Sequence, residues 1–206
     1  MAHTLPGMSD ILIETDRLIM RPLASDYADD YARVASDARI GAVMSHIPTP
    51  CPADLVREWS AQVPEQISAG TDYRLIIIIK ADGTLVGATN LGHMVELGVS
   101  GRQYKLSYWI DPAHWGKGLA TECAVGFRDW AFDTLKAGSL RAFCAMGNDA
   151  SARVLEKTGF HFMNTSMPVA SASKLNPEAG KLRNAYRMDK PRWESLIKSP
   201  HLSKAS

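Results

Sequence analysis

The stretch DPAHWGKGLATE (residues 111–122) lies where a hydrophobic strand-like run gives way to a helix-like run, and it decides the fold class. It contains two glycines one residue apart, Gly116 and Gly118. If a helix begins at Gly118, its first backbone N–H groups have no acceptor within the helix, and the helix dipole adds partial positive charge there. Such a loop is suited to bind a pyrophosphate. The alternative is a flexible strand-to-helix turn, because the stretch is neither a Walker loop nor a complete dinucleotide fingerprint.

A second polar motif follows the next predicted strand, residues 140–146. It reads NDASARVLEKTGF (148–160) and places Asn148 and Ser151 at the exit of that strand and in the first turn of a helix. The carboxyl ends of two diverging parallel strands form a cleft, and ligands of α/β sheets bind there. The two motifs therefore predict one pocket, with a phosphate loop after one strand and hydrogen-bonding side chains after its neighbour.

The rest of the chain alternates between strand-like and helix-like segments. Periodicity and turn residues predict strands at 11–23, 72–80, 84–94, 102–110, 140–146, 160–166 and 183–190, with an Asp-Gly hairpin turn at 81–83. Helices are predicted from Ser25 or Asp26 to Ser36, from after Pro52 to Gly70 with a kink or break at Pro64, from Gly118 to Thr134, and from Asn148 or Asp149 to Thr158. This order predicts a mixed α/β domain with a parallel strand pair only where a helix intervenes. The polar stretch 167–181 is predicted to be a mobile loop.

Composition and charge narrow the possible partners. The 206 residues suit one domain, and a formal net charge of +1, from 23 basic and 22 acidic residues, argues against nucleic acid as the partner. No apolar signal core opens the chain, and the longest aliphatic run, Leu75 to Ile79, is too short to span a bilayer. Cys51, Cys123 and Cys144 lack metal-ligand spacing and suit buried thiols of a reducing compartment. We therefore expect a cytoplasmic protein that binds no membrane and no metal.

The two motifs resemble a known family. The order YWIDPAHWGKGLATE, then NDASARVLEKTGF, is similar to the GNAT superfamily of acetyl-CoA-dependent N-acetyltransferases, and within it to the RimJ/RimL-like branch, which acetylates ribosomal-protein N-termini and other primary amines. TDRLIMRPL, PADLVREW and NAYRMDKPRWESL extend the resemblance over one domain, residues 11–196, and the polar ends, 1–10 and 197–206, are expected to be flexible. The resemblance implies a mostly antiparallel sheet of six to seven strands, flanked by helices, with one splayed parallel pair at 102–110 and 140–146.

The resemblance also implies which residues bind acetyl-CoA. The loop pattern of the family falls on Trp115, Gly118 and Ala120, with Trp115 in place of the usual Gln or Arg. Trp109 and Ile110 match the strand segment whose backbone pairs with the pantetheine arm in such enzymes. The residues expected to bind acetyl-CoA are Trp109, Ile110, Trp115, Gly116, Lys117, Gly118, Leu119, Ala120, Thr121, Asn148 and Ser151.

Acetyl transfer to an amine requires several distinct groups. The amine must be neutral, so the site needs a proton acceptor. A backbone N–H near Ile110 can polarise the thioester carbonyl. A hydroxyl can protonate the departing thiolate, and the tyrosine that many relatives use for this falls on Leu155 here. Ser151, which matches a position near the sulfur, is the candidate instead, or it is only a serine of the first helical turn. Asn148 matches the position that hydrogen-bonds the pantetheine.

The general base is the least defined part of the site. The two glutamates of the family fall on Lys105 and near residues 163–164, so both are absent. Glu96 and His93, at the end of a hairpin strand, are candidates, and each is alternatively a plain surface residue. Tyr108 either shapes the acceptor site or simply packs. The candidate catalytic residues are therefore Ser151, Tyr108 and Glu96.

Together these features predict an enzyme that transfers acetyl from acetyl-CoA to a primary amine by direct attack in a ternary complex. The acceptor is a small molecule or a protein N-terminus. The alternatives are a CoA-binding module of the same fold that has lost catalysis, and a hydrolase or phosphate-binding protein. The acceptor pocket is expected at residues 37–53, 94–102 and 166–182, whose mixed charge selects no substrate class. A homodimer is an open alternative to a monomer.

Overall fold

The computed structural model describes residues 5–44, 46–95, 101–166 and 182–198, and within them the chain folds around one sheet. The strands are β1 (Ile13–Glu14), β2 (Leu18–Pro22), β3 (Asp72–Ile79), β4 (Leu85–Met94), β5 (Gln103–Ile110), β6 (Ser139–Ala145), β7 (His161–Ser166) and β8 (Arg183–Asp189). The helices are α1 (Ala28–Ala35), α2 (Ala38–Gly41), α3 (Ala53–Ala69), α4 (Leu119–Asp133), α5 (Asp149–Lys157) and α6 (Lys190–Lys198). The strand order in the sheet is β1-β2-β3-β4-β5-β6-β8-β7.

The sheet contains the predicted splayed pair. Strands β5 and β6 run parallel, and the other neighbours in this sheet are antiparallel. The parallel pairing covers only residues 103–106 and 139–142. Beyond it, β5 stays paired with β4 to Ile110 and β6 stays paired with β8 to Ala145, so the two strands part and leave a gap. The predicted mixed α/β fold with one splayed parallel pair is confirmed.

The first predicted strand, 11–23, is two strands rather than one. The Thr15 N–H donates to the Leu18 carbonyl at 3.0 Å, and the Leu18 N–H donates to the Thr15 hydroxyl at 3.1 Å, which makes a tight turn. The turn pairs Ile13 with Met20, so both side chains remain buried. The sheet therefore has eight strands within the described residues, where six to seven were predicted.

The segment after β2 also differs in detail from its prediction. The predicted helix at 25–36 is a 3-10 turn at Ser25–Tyr27 that leads into α1. The short helix α2 was not predicted. Its cap is the Asp37 carboxylate, which accepts a hydrogen bond from the Arg39 N–H at 2.9 Å.

Helix α3 runs through Pro64 as one continuous helix, so of the predicted kink or break the break does not occur. A proline in a helix removes one backbone hydrogen bond, but the buried stripe of α3, which includes the fully buried Val63, holds the helix against the sheet. Gly70 ends the helix with φ +69°, as predicted. The following hairpin of β3 and β4 is also confirmed, although its turn spans residues 80–84.

Sequence reasoning missed the last helix, α6. The predicted strand at 183–190 ends one residue early, at Asp189, and the chain turns directly into α6 with Pro191 in its first turn. Proline is common at the start of a helix, because the first N–H groups have no acceptor there anyway. That signal, followed by the amphipathic stretch around the buried Trp193, identifies the helix. The predicted loop at 167–181 lies outside the described residues.

Helices pack on both faces of the sheet. On one face α1 and α3 contact β3 and β4, and the Tyr31 ring of α1 lies 5.2 Å from the Trp109 ring of β5. On the other face α4 contacts β5, and its Trp130 ring lies edge-on to Tyr73 at 5.3 Å. Side chains of β5 alternate accordingly, because Tyr104 is fully buried on the α4 face and Lys105 is exposed on the other. No helix within the described residues is both long and apolar enough to cross a membrane.

Candidate active site

Backbone groups at the end of β5 border the gap between β5 and β6. A Cβ atom on Gly87 of β4 would strike the Trp109 carbonyl oxygen, so this peptide group faces β4 and only glycine fits beside it. Peptide groups alternate in direction along a strand, so those of Tyr108 and Ile110 face the gap, where β6 has stopped pairing with β5. The Ile110 carbonyl accepts a hydrogen bond from the Trp115 indole N–H at 2.7 Å. The Ile110 N–H is therefore directed at the gap.

The glycine loop after β5 presents a run of N–H groups. Gly116 and Gly118 have φ values of +75° and +76°, the left-handed region that favours glycine. The Glu122 N–H donates to the Gly118 carbonyl at 3.0 Å and is the first amide of α4 with a backbone acceptor among the described residues. The N–H groups of residues 116–121 thus lie at the N-terminus of a 15-residue helix without a backbone partner there. This is the arrangement that binds phosphate groups in proteins.

The glycine loop is fixed from outside by the turn between β1 and β2. The Glu122 carboxylate, in the first turn of α4, accepts hydrogen bonds from the Thr15 hydroxyl (2.6 Å), the Arg17 N–H (2.7 Å) and the Arg17 Nε (2.6 Å). The Arg17 guanidinium also donates to the Lys117 carbonyl at 2.9 Å. Burial alone would raise the pKa of the Glu122 carboxyl, but the hydrogen bonds from Thr15 and Arg17 outweigh burial and lower it. We call Thr15, Arg17 and Glu122 the loop clamp.

A cavity of about 490 Å³ opens beside the glycine loop, on the side of the loop clamp. Its lining consists of Asp16, Arg17, Ile79, Lys80, Ala81, His114, Lys117 and Leu119. Three of these side chains are basic and one is acidic, so the cavity adds positive charge next to the amides of the loop. Leu119 is only 5% exposed and anchors the start of α4 in the core.

On the far side of the gap, Asn148 and Ser151 take the positions predicted for them. The Asn148 side-chain oxygen accepts a hydrogen bond from the Ser151 N–H at 3.1 Å and caps α5. Within the described residues, the side-chain NH₂ of Asn148 makes no hydrogen bond. The Ser151 hydroxyl lies 3.2 Å from the Tyr108 hydroxyl, which also donates to the Ser151 carbonyl at 3.4 Å. The structure therefore brings Tyr108 and Ser151, which the sequence analysis named separately, into direct contact.

The Tyr108 hydroxyl is a proton donor at neutral pH. Burial raises the pKa of this hydroxyl well above its ordinary value of 10.0, and the hydrogen bond with Ser151 offsets only part of that rise. A tyrosine that stays protonated can donate a hydrogen bond or a proton, and it cannot serve as a base. Leu155, the position on which the resemblance would place a tyrosine, is buried one turn further along α5.

The predicted acid–base residues elsewhere are only partly placed. Glu96 lies outside the described residues. His93 is exposed, with its ring 5.8 Å from that of Tyr104.

The two tryptophans predicted to bind acetyl-CoA differ in exposure. Trp115 is half-exposed, and the Arg39 guanidinium lies 5.6 Å from its ring. Trp109 is buried against α1, so its side chain supports the end of β5.

Asp72, at the start of β3, is a carboxylate that sequence reasoning missed. It accepts a hydrogen bond from the Asn90 side-chain amide, and the Arg74 guanidinium lies 3.5 Å away. Burial raises the pKa of the Asp72 carboxyl, and Arg74, Asn90 and Lys105 offset part of that rise. The alternation of Asp72 with Arg74 inside an apolar strand was the available signal. No group of three His, Cys, Asp or Glu side chains within the described ranges is arranged to hold a metal ion.

Comparison with known proteins identifies the family and the fold. The family model of the acetyltransferase (GNAT) domain matches residues 17–161. The protein named "Probable N-acetyltransferase YjcK" of Bacillus subtilis is 32% identical over 105 residues, which are 51% of this chain and 57% of that relative. The match thus spans little more than half of the length of this curated relative.

Solved structures share the fold. The ribosomal-protein-S5-alanine acetyltransferase of Vibrio fischeri has a TM-score of 0.73 and 16% identity, covering 89% of this chain and 99% of that one. RimJ of Mycobacterium smegmatis, solved in complex with CoA-disulfide, has a TM-score of 0.69 and 16% identity, covering 89% of each chain. At this level of identity the likeness establishes the fold.

Proposed function

From the match over residues 17–161 it follows that the chain belongs to the GNAT acetyltransferase family, and we propose that it transfers an acetyl group from acetyl-CoA to a primary amine. The observation that carries the proposal is the gap between β5 and β6, with the amides of residues 116–121 at one end and the Tyr108–Ser151 pair beside it. One opening thus combines an anion site, backbone donors and a protonated hydroxyl.

The chain offers groups for the pyrophosphate and for the pantetheine arm of acetyl-CoA. The amides of residues 116–121 bind the pyrophosphate, with Lys117 adding charge. The backbone of β5 along the gap hydrogen-bonds the pantetheine arm, while the Ile110 N–H is kept for the thioester carbonyl, and the Asn148 side-chain NH₂ donates to the arm from the α5 side. The Trp115 indole N–H donates to the Ile110 carbonyl, and this hydrogen bond fixes the end of β5 beside the gap.

The proposed reaction follows from these positions. The neutral amine nitrogen attacks the thioester carbon, and the Ile110 N–H stabilises the negative charge that develops on the carbonyl oxygen. The C–S bond then breaks, and the thiolate takes a proton that Tyr108 supplies through the Ser151 hydroxyl, after which Tyr108 regains a proton from solvent. The proton released by the amine passes to a carboxylate. Glu96 remains the sequence-based candidate for this role.

The proposal also covers the acceptor and the cellular location of the protein. The family and the resemblance to RimJ/RimL-like proteins favour a protein N-terminus or a small-molecule amine as the acceptor. A cytoplasmic location is in line with Cys51, Cys123 and Cys144, which are buried and unbridged.

A thiol-release assay with acetyl-CoA tests the proposal. We expect free thiol only when an amine acceptor is supplied from a panel of peptides and small amines. Release without any acceptor would indicate a hydrolase. Stabilisation by CoA without release under any condition would indicate a binding module of the same fold.

A further inference from the structure

The side chain of Arg39 joins helix α2 to the glycine loop. Its guanidinium lies 5.6 Å from the centre of the Trp115 ring, within the range at which a cation is attracted to the face of an indole. Both partners are at the surface, since 62% of the Arg39 side chain and 52% of Trp115 are exposed. An element on the α1 side of the sheet is thus in direct contact with the loop that follows β5.

The Asp37 carboxylate orients this guanidinium. It accepts hydrogen bonds from the Arg39 Nε at 2.9 Å and from a terminal nitrogen at 2.6 Å, and such a forked pair fixes the plane of the guanidinium. These hydrogen bonds raise the pKa of Arg39, and the charge of Asp111 raises it further. Asp111 directly follows β5, so the guanidinium lies close to the end of that strand.

Trp115 connects Arg39 to the gap. Its indole N–H donates to the Ile110 carbonyl at 2.7 Å, and the next residues along the chain are those whose N–H groups form the glycine loop, 116–121. A ligand held by these N–H groups and by the end of β5 restricts the chain on both sides of Trp115. The position of the Trp115 ring is restricted with it.

Helix α2 has little anchorage in the core. Of its four residues only Ile40 is buried, at 1% exposed. The N–H groups of residues 39–44 have their acceptors within residues 37–40, so their hydrogen exchange reports on local opening of this segment. Segment 37–44 also begins the region, 37–53, that is expected to line the acceptor pocket.

We infer that Arg39 is a positioning residue, which holds α2 on Trp115 and so couples the binding of coenzyme A to the acceptor side of the gap. This rests on the proposed binding of acetyl-CoA at the glycine loop. A ligand that restricts Trp115 lowers the entropy lost when α2 is ordered, so an acceptor that binds against α2 gains affinity once CoA is bound. A single exposed cation–π contact allows a coupling of about two- to fivefold.

Hydrogen exchange with and without coenzyme A tests the inference without any acceptor. In the wild type we expect CoA to slow exchange at residues 39–44 about two- to fivefold, together with slower exchange at residues 116–121. In Arg39→Met the slowing at 39–44 is lost and that at 116–121 remains, whereas Arg39→Lys retains part of both. Arg33→Met, which removes an exposed ion pair with Asp30 on α1, is the matched control and behaves as the wild type.

Two substitutions of Trp115 separate the ring from its N–H group. Trp115→Phe keeps a ring beside Arg39, so the slowing at residues 39–44 is retained in part. Trp115→Gln keeps a donor for the Ile110 carbonyl but has no ring, so that slowing is absent. With the amine that releases thiol fastest, Arg39→Met should raise the acceptor KM about two- to fivefold and leave kcat within twofold.

The outcomes separate the inference from the function beneath it. Slower exchange at 116–121 with no change at 39–44, or equal slowing at 39–44 in the wild type and Arg39→Met, would overturn the role of Arg39 and leave the acetyl-CoA site standing. Unchanged exchange at 116–121 with saturating CoA would overturn both.

Discussion

At the scale of single residues, the account depends on the Tyr108–Ser151 contact. Tyr108→Phe removes one hydroxyl and keeps the ring, so we expect kcat to fall about a hundredfold while CoA affinity stays within twofold. Tyr104→Phe is the matched control, because Tyr104 lies on the same strand and face and is buried against Tyr73 instead of Ser151. Steady-state kinetics and CoA titration measure both effects. Wild-type kcat in Tyr108→Phe would remove this hydroxyl from the mechanism.

Ser151→Ala makes the companion test at the same scale. The Ser151 N–H, which Asn148 caps, survives this change, so α5 is retained and only the hydroxyl near the proposed thiolate is lost. We expect a slower chemical step, by about tenfold or more, with little change in acetyl-CoA binding. Single-turnover rates distinguish the two. A variant with the wild-type rate would make Ser151 a residue of the first helical turn and nothing more.

A substitution of Gly118 tests whether the backbone N–H groups of the glycine loop bind CoA. Its φ of +76° is unfavourable for a β-branched side chain, so Gly118→Val changes the backbone conformation of the loop and the direction of its N–H groups. We expect CoA affinity to fall by tenfold or more, measured by calorimetry. Gly83→Val is the control, because Gly83 has φ +75° in the β3–β4 turn with open space around it. It meets a similar conformational penalty, and CoA affinity in that variant should match the wild type.

At the scale of elements, the loop clamp joins the β1–β2 turn to the start of α4. Glu122→Gln weakens its hydrogen bonds to Arg17, so we expect weaker CoA binding, by about three- to tenfold, with an unchanged KM for the acceptor. Arg57→Met is the control, since it removes an exposed ion-pair cluster with Asp29 and Asp54 far from the loop. Equal effects of the two changes on CoA affinity would show that the clamp contributes no more than general stability.

The loop clamp also predicts a dependence on pH. The pKa of the Glu122 carboxyl is lowered in the fold, so its stabilisation is complete above the ordinary value of 4.5 and is lost as the pH falls through the lower folded value. The difference in Tm between wild type and Glu122→Gln should therefore be constant near neutrality and shrink on acidification below about pH 4.5. A difference that grew in acid would contradict the assignment of charge to Glu122.

At the scale of the whole molecule, local signals were readable from the sequence and distant contacts were not. Gly70 and Gly118, both at positive φ, and the Asn148 cap mark helix ends through short-range rules, and these predictions are confirmed. The Tyr108–Ser151 contact spans 43 positions and depends on how β5 and β6 part. The Thr15–Glu122 contact spans 107, and no periodicity encodes it.

The errors in the fold have equally local causes. The run of strand-forming residues at 11–23 contains a turn that was not predicted, because it has no Gly or Pro to mark it. The turn is instead held by the Thr15 hydroxyl, which accepts a hydrogen bond from the Leu18 N–H. The helix α6 was missed because its start follows β8 without a linker.

The most direct measurement is a crystal structure of the protein grown or soaked with coenzyme A. The account predicts pyrophosphate oxygens within about 3 Å of the N–H groups of residues 116–121. It also predicts the thiol end of the ligand between β5 and β6, close to the Ser151 hydroxyl. Density for the nucleotide at another surface, with this corner of α4 empty at saturating ligand, would contradict it.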